Sequence, residues 1–242
     1  MLLDKYKMQA LIFDCDGVLV DTERDGHRVA FNAAFKAIGW KTEWSVERYG
    51  ELLTTAGGKE RMRRHFDQMG WPVPEPERDA AIATLHKLKT DLFMELIESG
   101  ALPLRAGIAR IVDEAIAANL KIAVCSTSNE RAVQAVVDKM LGAKRAQQIK
   151  VFAGDIVAKK KPDPAIYNLA ARDLGLDPKK CVVVEDSNNG LRAAKAAGMN
   201  CIVTISSYTA GEDFKLADRI VPELGDVPNS VIKLTDLRSL VK

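Results

Sequence analysis

Four short apolar runs constrain this 242-residue chain more than any other feature: residues 9–13 (QALIF), 121–125 (KIAVC), 181–184 (CVVV) and 201–204 (CIVT). They are rich in Val and Ile and do not alternate polar with apolar. A strand with one face in water alternates, so these read as strands covered on both faces. Helical patterns lie between the later runs, over residues 108–118, 131–141, 165–174 and 191–197. Asp163 followed by Pro164 suits a helix start, and Gly175 and Gly198 stand where helices commonly stop. Strands alternating with helices imply an α/β fold, a doubly wound parallel sheet with right-handed crossovers.

The interval 20–102 breaks this alternation. It holds no convincing strand, and it carries several apolar faces at helical spacing: Phe31, Phe35 and Ile38; Met62, Phe66 and Met69; Leu85, Leu88, Leu92 and Leu96. An all-helical domain inserted after the first strand is therefore expected. The α/β core would comprise residues 1–19 and 103–242, with 102–107 as the return linker.

Chemistry gathers at the predicted strand ends, where open α/β sheets bind their ligands. Asp14-Cys15-Asp16-Gly17 follows the first strand, and two carboxylates this close need a cation, a ligand or a shared proton to offset them. The second strand runs into Ser126-Thr127-Ser128-Asn129 at a helix start, where hydroxyls and free backbone N–H groups can cradle an anion. Lys159-Lys160-Lys161-Pro162 precedes the next helix, and the third strand ends in Glu185-Asp186-Ser187. Each feature alone is ordinary: a turn pair, an N-cap, a solvated charge run. Four acidic residues, a hydroxyl and a lysine at one edge of one sheet are not.

In that order and at those separations, DCDGV, STS, KKKP and VVVEDS make the chain resemble the haloacid dehalogenase superfamily, and the helical insertion resembles its first type of cap. The resemblance implies a Mg²⁺-dependent phosphoric monoester hydrolase. Asp14 would be the nucleophile that forms an aspartyl-phosphate, and Asp16 the general acid and then base. Ser126 and Lys161 would bind the transferring phosphoryl group, helped by Thr127, Ser128 and Asn129. The Asp14 side chain, the Asp16 carbonyl and Asp186 would hold Mg²⁺, with Glu185 orienting or sharing it.

Within that superfamily DTERDGHR, YGELL, GGKERM and LHKLKT look like the CbbY-like branch of photosynthetic organisms. That branch implies xylulose 1,5-bisphosphate, a misfire product that inhibits Rubisco in the Calvin cycle, as the substrate. By the same resemblance Glu23 and His27 would meet substrate hydroxyls or phosphate, and Tyr49, Lys59 and Arg61 the distal end. DTERDGH carries one residue more before its His than the β-phosphoglucomutase-like pattern does, which leaves the direction of His27 open. A phosphotransferase of the mutase kind, a phosphoglycolate or other sugar-phosphate phosphatase, and a non-catalytic phosphosugar-binding regulator are the alternatives. His65 and His86 stand inside helical patterns without partners and read as packing or surface residues.

Composition narrows the partners. With 35 Lys+Arg against 33 Asp+Glu, a net charge of +2 gives no general reason to bind nucleic acid or an anionic membrane. No stretch approaches the ~20 apolar residues of a membrane span, and residues 1–9 are too polar for a signal peptide. A soluble monomer in cytoplasm or plastid stroma is expected. Cys15, Cys125, Cys181 and Cys201 form no C-x-x-C pair and are expected to be reduced and buried.

Overall fold

The computed structural model describes residues 8–55, 57–226, 228 and 231–241. They divide into two compact units, Met1–Asp21 with Pro103–Lys242, and Thr22–Leu102. Val20 and Asp21 stay with the first unit instead of opening the second. Val20 bridges to Asp16 and to Leu104, and the Asp21 carboxylate accepts hydrogen bonds from the Ser207 backbone N–H and hydroxyl.

The first unit is built on a six-stranded parallel sheet with the order β3-β2-β1-β4-β5-β6. The strands are β1 (Ala10–Phe13), β2 (Lys121–Ser126), β3 (Ile149–Ala153), β4 (Cys181–Glu185), β5 (Asn200–Thr204) and β6 (Arg219–Val221). The four apolar runs form β1, β2, β4 and β5. The unexpected β3 and β6 both lie at sheet edges, where half the strand faces water and the continuous apolar signal is lost: Lys150 is exposed in β3, and Arg219 and Ile220 in β6.

Crossover helices cover the sheet: α5 (Ile108–Ala117), α6 (Glu130–Met140), α8 (Ala165–Leu174) and α9 (Asn188–Ala196), with the short α7 (Ala143–Ala146) and α10 (Leu234–Arg238). Asn129 and Ser187 cap α6 and α9 through their side-chain oxygens. Asp163 lies one residue further out than a cap and accepts from the Ala165 N–H at 3.0 Å. Ile12, Ala123, Val183 and Val203 are fully covered, together with Ile166, Tyr167 and Leu191 from α8 and α9. The Val, Ile and Leu side chains among them each contribute about 1.5–3 kcal/mol on burial. All four cysteines are buried and free.

The second unit is helical: a π-helical turn at Thr22–His27, then α1 (Arg28–Ala37), α2 (Val46–Leu53), α3 (Gly58–Met69) and α4 (Arg78–Glu98). Its core is aromatic, with Phe31, Phe35, Trp44, Tyr49 and Phe66 essentially inaccessible. All three expected apolar faces depart from their pattern. Ile38 and Met69 are exposed, and α4 buries Ile82, Leu85, Lys89, Phe93 and Ile97, leaving Leu88, Leu92 and Leu96 half-buried. Among the described residues no helix is long and apolar enough to cross a membrane.

Candidate active site

Register brings the first group of side chains together. Phe13 of β1 pairs with Val124 of β2 and Val184 of β4, so the next residues on the three strands, Asp14, Cys125 and Glu185, are neighbours at one sheet edge. Lys161 closes this group. Its ammonium donates to Asp14 Oδ1 at 2.6 Å, Glu185 Oε1 at 2.6 Å and the Cys125 carbonyl at 2.9 Å. Lys159 and Lys160 point elsewhere, toward Asp163 and Asp155 on the surface.

Asp14, Glu185 and Asp186 are buried, with carboxylate oxygens within 4.8 Å of one another. The Asp186 backbone N–H donates to Glu185 Oε2 at 3.2 Å. Three acidic groups sharing one ammonium away from water leave negative charge uncompensated. Burial raises the Asp14 carboxyl to about 7, against the pull of Lys161 and with Glu185 and Asp16 adding to the rise. Asp186 is pushed up by burial and by Asp14 and Glu185. Burial disfavours the Lys161 charge, but Asp14 and Glu185 outweigh it and hold the ammonium firmly protonated.

Two glycines permit this crowding. Gly17 has φ +77°, and a Cβ there would stand 2.0 Å from Asp186 Oδ2. A Cβ on Gly190 would meet the Glu185 carboxylate at 2.0 Å.

The Asp16 side chain lies outside the three-carboxylate group and accepts a hydrogen bond from the Ser128 hydroxyl. Ser126 is buried and its hydroxyl accepts from the Ser128 N–H at 3.2 Å. Thr127 is half-buried beside it. Asn129 uses its side-chain oxygen on the Ala132 N–H, so it serves the start of α6.

The second unit gathers a polar group of its own. Tyr49 donates to Glu23 Oε2 at 2.6 Å, and Arg61 donates to the Tyr49 hydroxyl at 3.1 Å and lies 3.7 Å from Glu23. Thr22–His27 of DTERDGH winds into the π-helical turn, which sets where His27 points. Gly26 allows close packing there, since a Cβ would sit 2.8 Å from the Phe93 ring. His27 thereby stacks on Phe93 with ring centroids 3.9 Å apart and places Nδ1 2.9 Å from Lys89 Nζ. Burial, then Lys89 and Arg61, hold His27 neutral. Lys59 is exposed, and among the described residues no hydrogen bond or ion pair ties it to this group. His65 packs between Trp44 and Phe66.

Sequence reasoning missed three residues. Tyr167, six positions after Lys161 on the buried face of α8, donates to Glu185 Oε1. Lys89 occupies the buried stripe of α4, where burial lowers it to about 8, with Glu23 opposing and Arg61 reinforcing the shift. Arg105 spans the Gly17, Thr204, Ile205 and Pro222 carbonyls.

The chain is similar to known proteins along most of its length. A CBBY-like protein of Arabidopsis thaliana is 59% identical over 237 residues, covering 96% of this chain and 74% of that one. CbbY from Rhodobacter sphaeroides, crystallised with phosphate, superposes with a TM-score of 0.73 at 42% identity, covering 95% of this chain and 99% of that one. A mutant of the same protein, crystallised with xylulose-(1,5)bisphosphate, matches equally well. The haloacid dehalogenase-like hydrolase profile matches residues 8–198, and with the strand-edge carboxylates and lysine in place within that span, the chain belongs to this hydrolase family.

Proposed function

We propose that this phosphatase hydrolyses a small sugar bisphosphate, xylulose 1,5-bisphosphate foremost, through an aspartyl-phosphate on Asp14. The observation that carries the reading is the buried meeting of Asp14, Glu185 and Asp186, at the carboxyl ends of β1 and β4, with Lys161. The likeness to a protein crystallised with that bisphosphate supports the choice of substrate.

The donor set suits a hard divalent cation. It offers only oxygens, its carboxylates are raised by burial and mutual repulsion, and a single ammonium leaves them undercompensated. Asp14, Asp186 and the Asp16 carbonyl would hold Mg²⁺, with Glu185 bordering them. Bound there, the cation supplies charge neutralisation for phosphoryl transfer.

The side chains of the chain account for the remaining chemistry. The Asp14 carboxylate attacks phosphorus, the bond from phosphorus to the sugar oxygen breaks, and its electron pair leaves with that oxygen. Asp16, held by the Ser128 hydroxyl, delivers a proton to the leaving oxygen. It then takes a proton from the water that attacks the aspartyl-phosphate, releasing inorganic phosphate and restoring Asp14. Ser126, the loop at Thr127 and Ser128, and Lys161 neutralise the phosphoryl oxygens, the contribution that dominates protein catalysis of this reaction.

In the second unit Glu23, Tyr49 and Arg61 match a hydroxylated ligand ending in phosphate, because a guanidinium is suited to bidentate phosphate recognition. While Lys89 is charged it can only donate, so His27 Nδ1 accepts and His27 offers its Nε2–H. A phosphate-release screen over sugar mono- and bisphosphates with Mg²⁺ tests the reading. Xylulose 1,5-bisphosphate should give the highest kcat/KM, and transfer of the phosphoryl group to glucose 1-phosphate in preference to water would refute it.

A further inference from the structure

We propose that Tyr167 is a positioning residue for phosphoryl transfer: its hydroxyl fixes Glu185, and through Glu185 it holds the Lys161 ammonium while that ammonium exchanges Asp14 for a phosphoryl oxygen. This rests on the reading of Lys161 as the residue that neutralises the phosphoryl group.

Lys161 has three N–H donors, and all three are engaged, by Asp14 Oδ1, Glu185 Oε1 and the Cys125 carbonyl. To meet a phosphoryl oxygen it must release one. Asp14 is the partner whose negative charge is consumed as its bond to phosphorus forms, so the Asp14 contact is the one to yield. The Cys125 carbonyl is part of β2 and cannot follow. Glu185 is a side chain, and it can serve as a fixed point only if something other than Lys161 restrains it.

That restraint is visible on every side. Glu185 is fully buried. Its Oε2 accepts from the Asp186 N–H at 3.2 Å, and α9 passes so close at Gly190 that a Cβ would lie 2.0 Å from the carboxylate. Its Oε1, the oxygen that Lys161 uses, also accepts from the Tyr167 hydroxyl. Without that hydroxyl, Lys161 would be the remaining described donor to Oε1, and that oxygen would follow the ammonium as far as the Asp186 N–H contact at Oε2 lets it.

Tyr167 is built to hold still. It is fully buried in α8 beside Ile166 and Ala170, and Lys161 Nζ lies 5.0 Å from its ring centroid. A phenylalanine would fill the same apolar space. The hydroxyl is therefore the part that packing does not explain, and it is spent on the carboxylate that anchors the lysine.

Tyr167→Phe tests this with the Mg²⁺-loaded enzyme and p-nitrophenyl phosphate. The expected result is a kcat lower by about tenfold, equal to about 1.4 kcal/mol, with KM changed less than twofold. Orthovanadate, which takes the five-coordinate geometry of the transferring group, should inhibit about tenfold more weakly, and inorganic phosphate should inhibit as before. A folded variant with kcat within twofold of wild type overturns the proposal. So does a parallel loss for phosphate and vanadate, which would mean general loosening. If Tyr167→Phe does not fold, Tyr167→Met, which also fills the space without a hydroxyl, must show the same split. Lys161→Met separates the two layers: wild-type turnover by that variant defeats the reading of Lys161, whereas a slow Lys161→Met beside an unaffected Tyr167→Phe defeats the role of Tyr167 alone.

Discussion

Replacing Gly190 by Ala sets two well-known effects against each other at one atom. Gly190 lies in the first turn of α9, where its N–H donates to Ser187 Oγ at 3.2 Å. In a helix, alanine is favoured over glycine by about 1 kcal/mol. Here the added Cβ would stand 2.0 Å from Glu185 Cδ and Oε2 and 2.1 Å from Oε1. The carboxylate is buried and tied to Lys161 and Tyr167, so it cannot move into solvent. Forcing an extra carbon into a close-packed site costs about 1–3 kcal/mol. Disturbing one hydrogen bond to the buried charge costs about 1.5–3 kcal/mol more. After subtracting the helix gain, the net loss is about 1.5–5 kcal/mol, or roughly 3–20 °C in Tm for a chain of this length. Differential scanning calorimetry of wild type and Gly190→Ala, followed by turnover of an aryl phosphate, measures both consequences. An unchanged or raised Tm with full activity would show that α9 does not press on Glu185, and the account of how the lysine is anchored would fall with it.

Asp16→Asn should slow the phosphorylation step by about 10²–10⁴-fold on a sugar phosphate and far less on an aryl phosphate, whose leaving group needs no proton; equal losses in rapid-quench measurements would remove Asp16 as the acid. Arg61→Met should lower the ratio of bisphosphate to monophosphate kcat/KM by about ten- to a hundredfold, and Lys59→Ala should change it less, since Lys59 is exposed while Arg61 is joined to Tyr49 and Glu23; the opposite ranking would move the distal contact to Lys59. His65 is lowered from 6.5 to about 4 by burial and then by Arg48, so the folded state resists a proton that the unfolded chain accepts. The part of the stability that depends on His65 should therefore be fully present above about pH 6.5 and be lost as the pH falls toward 4. Urea unfolding of His65→Gln across that range should show a shallower decline than wild type.

The core motifs were legible because at a strand end one position carries both kinds of information. Asp14 and Glu185 follow apolar runs whose burial is written in their composition, so predicting the strands also predicts where the carboxylates emerge. Edge strands lose that signal. β6 is three residues long, with Arg219 and Ile220 exposed. In α4 the leucine spacing suggested a stripe through Leu88, Leu92 and Leu96, but the buried stripe runs through Lys89. A lysine can take a core position when aromatic faces receive its charge, and here Phe31 and Phe93 lie 4.9 and 5.0 Å from Nζ. Phe93 stands one turn from Lys89 on α4, whereas Phe31 belongs to α1, so half of that environment is set by tertiary packing.

Arg105 marks a harder limit. Its backbone N–H donates to the Leu19 carbonyl at 2.9 Å, while its guanidinium reaches carbonyls at Gly17, after β1, at Thr204 and Ile205, ending and following β5, and at Pro222, after β6. A carboxylate partner would have left an Asp or Glu to be noticed, but every residue has a carbonyl, so these acceptors have no signature in composition or spacing. The planar guanidinium, with five N–H donors, can join several loops where an ammonium could not. One of those loops contains Gly17, whose backbone faces Asp186, and another leads to Ser206, whose hydrogen bond draws the Asp186 carboxyl downward against burial. Spacing can thus reveal which residues carry charge to the sheet edge, whereas the backbone that holds those charges in register emerges only once the strands have been placed.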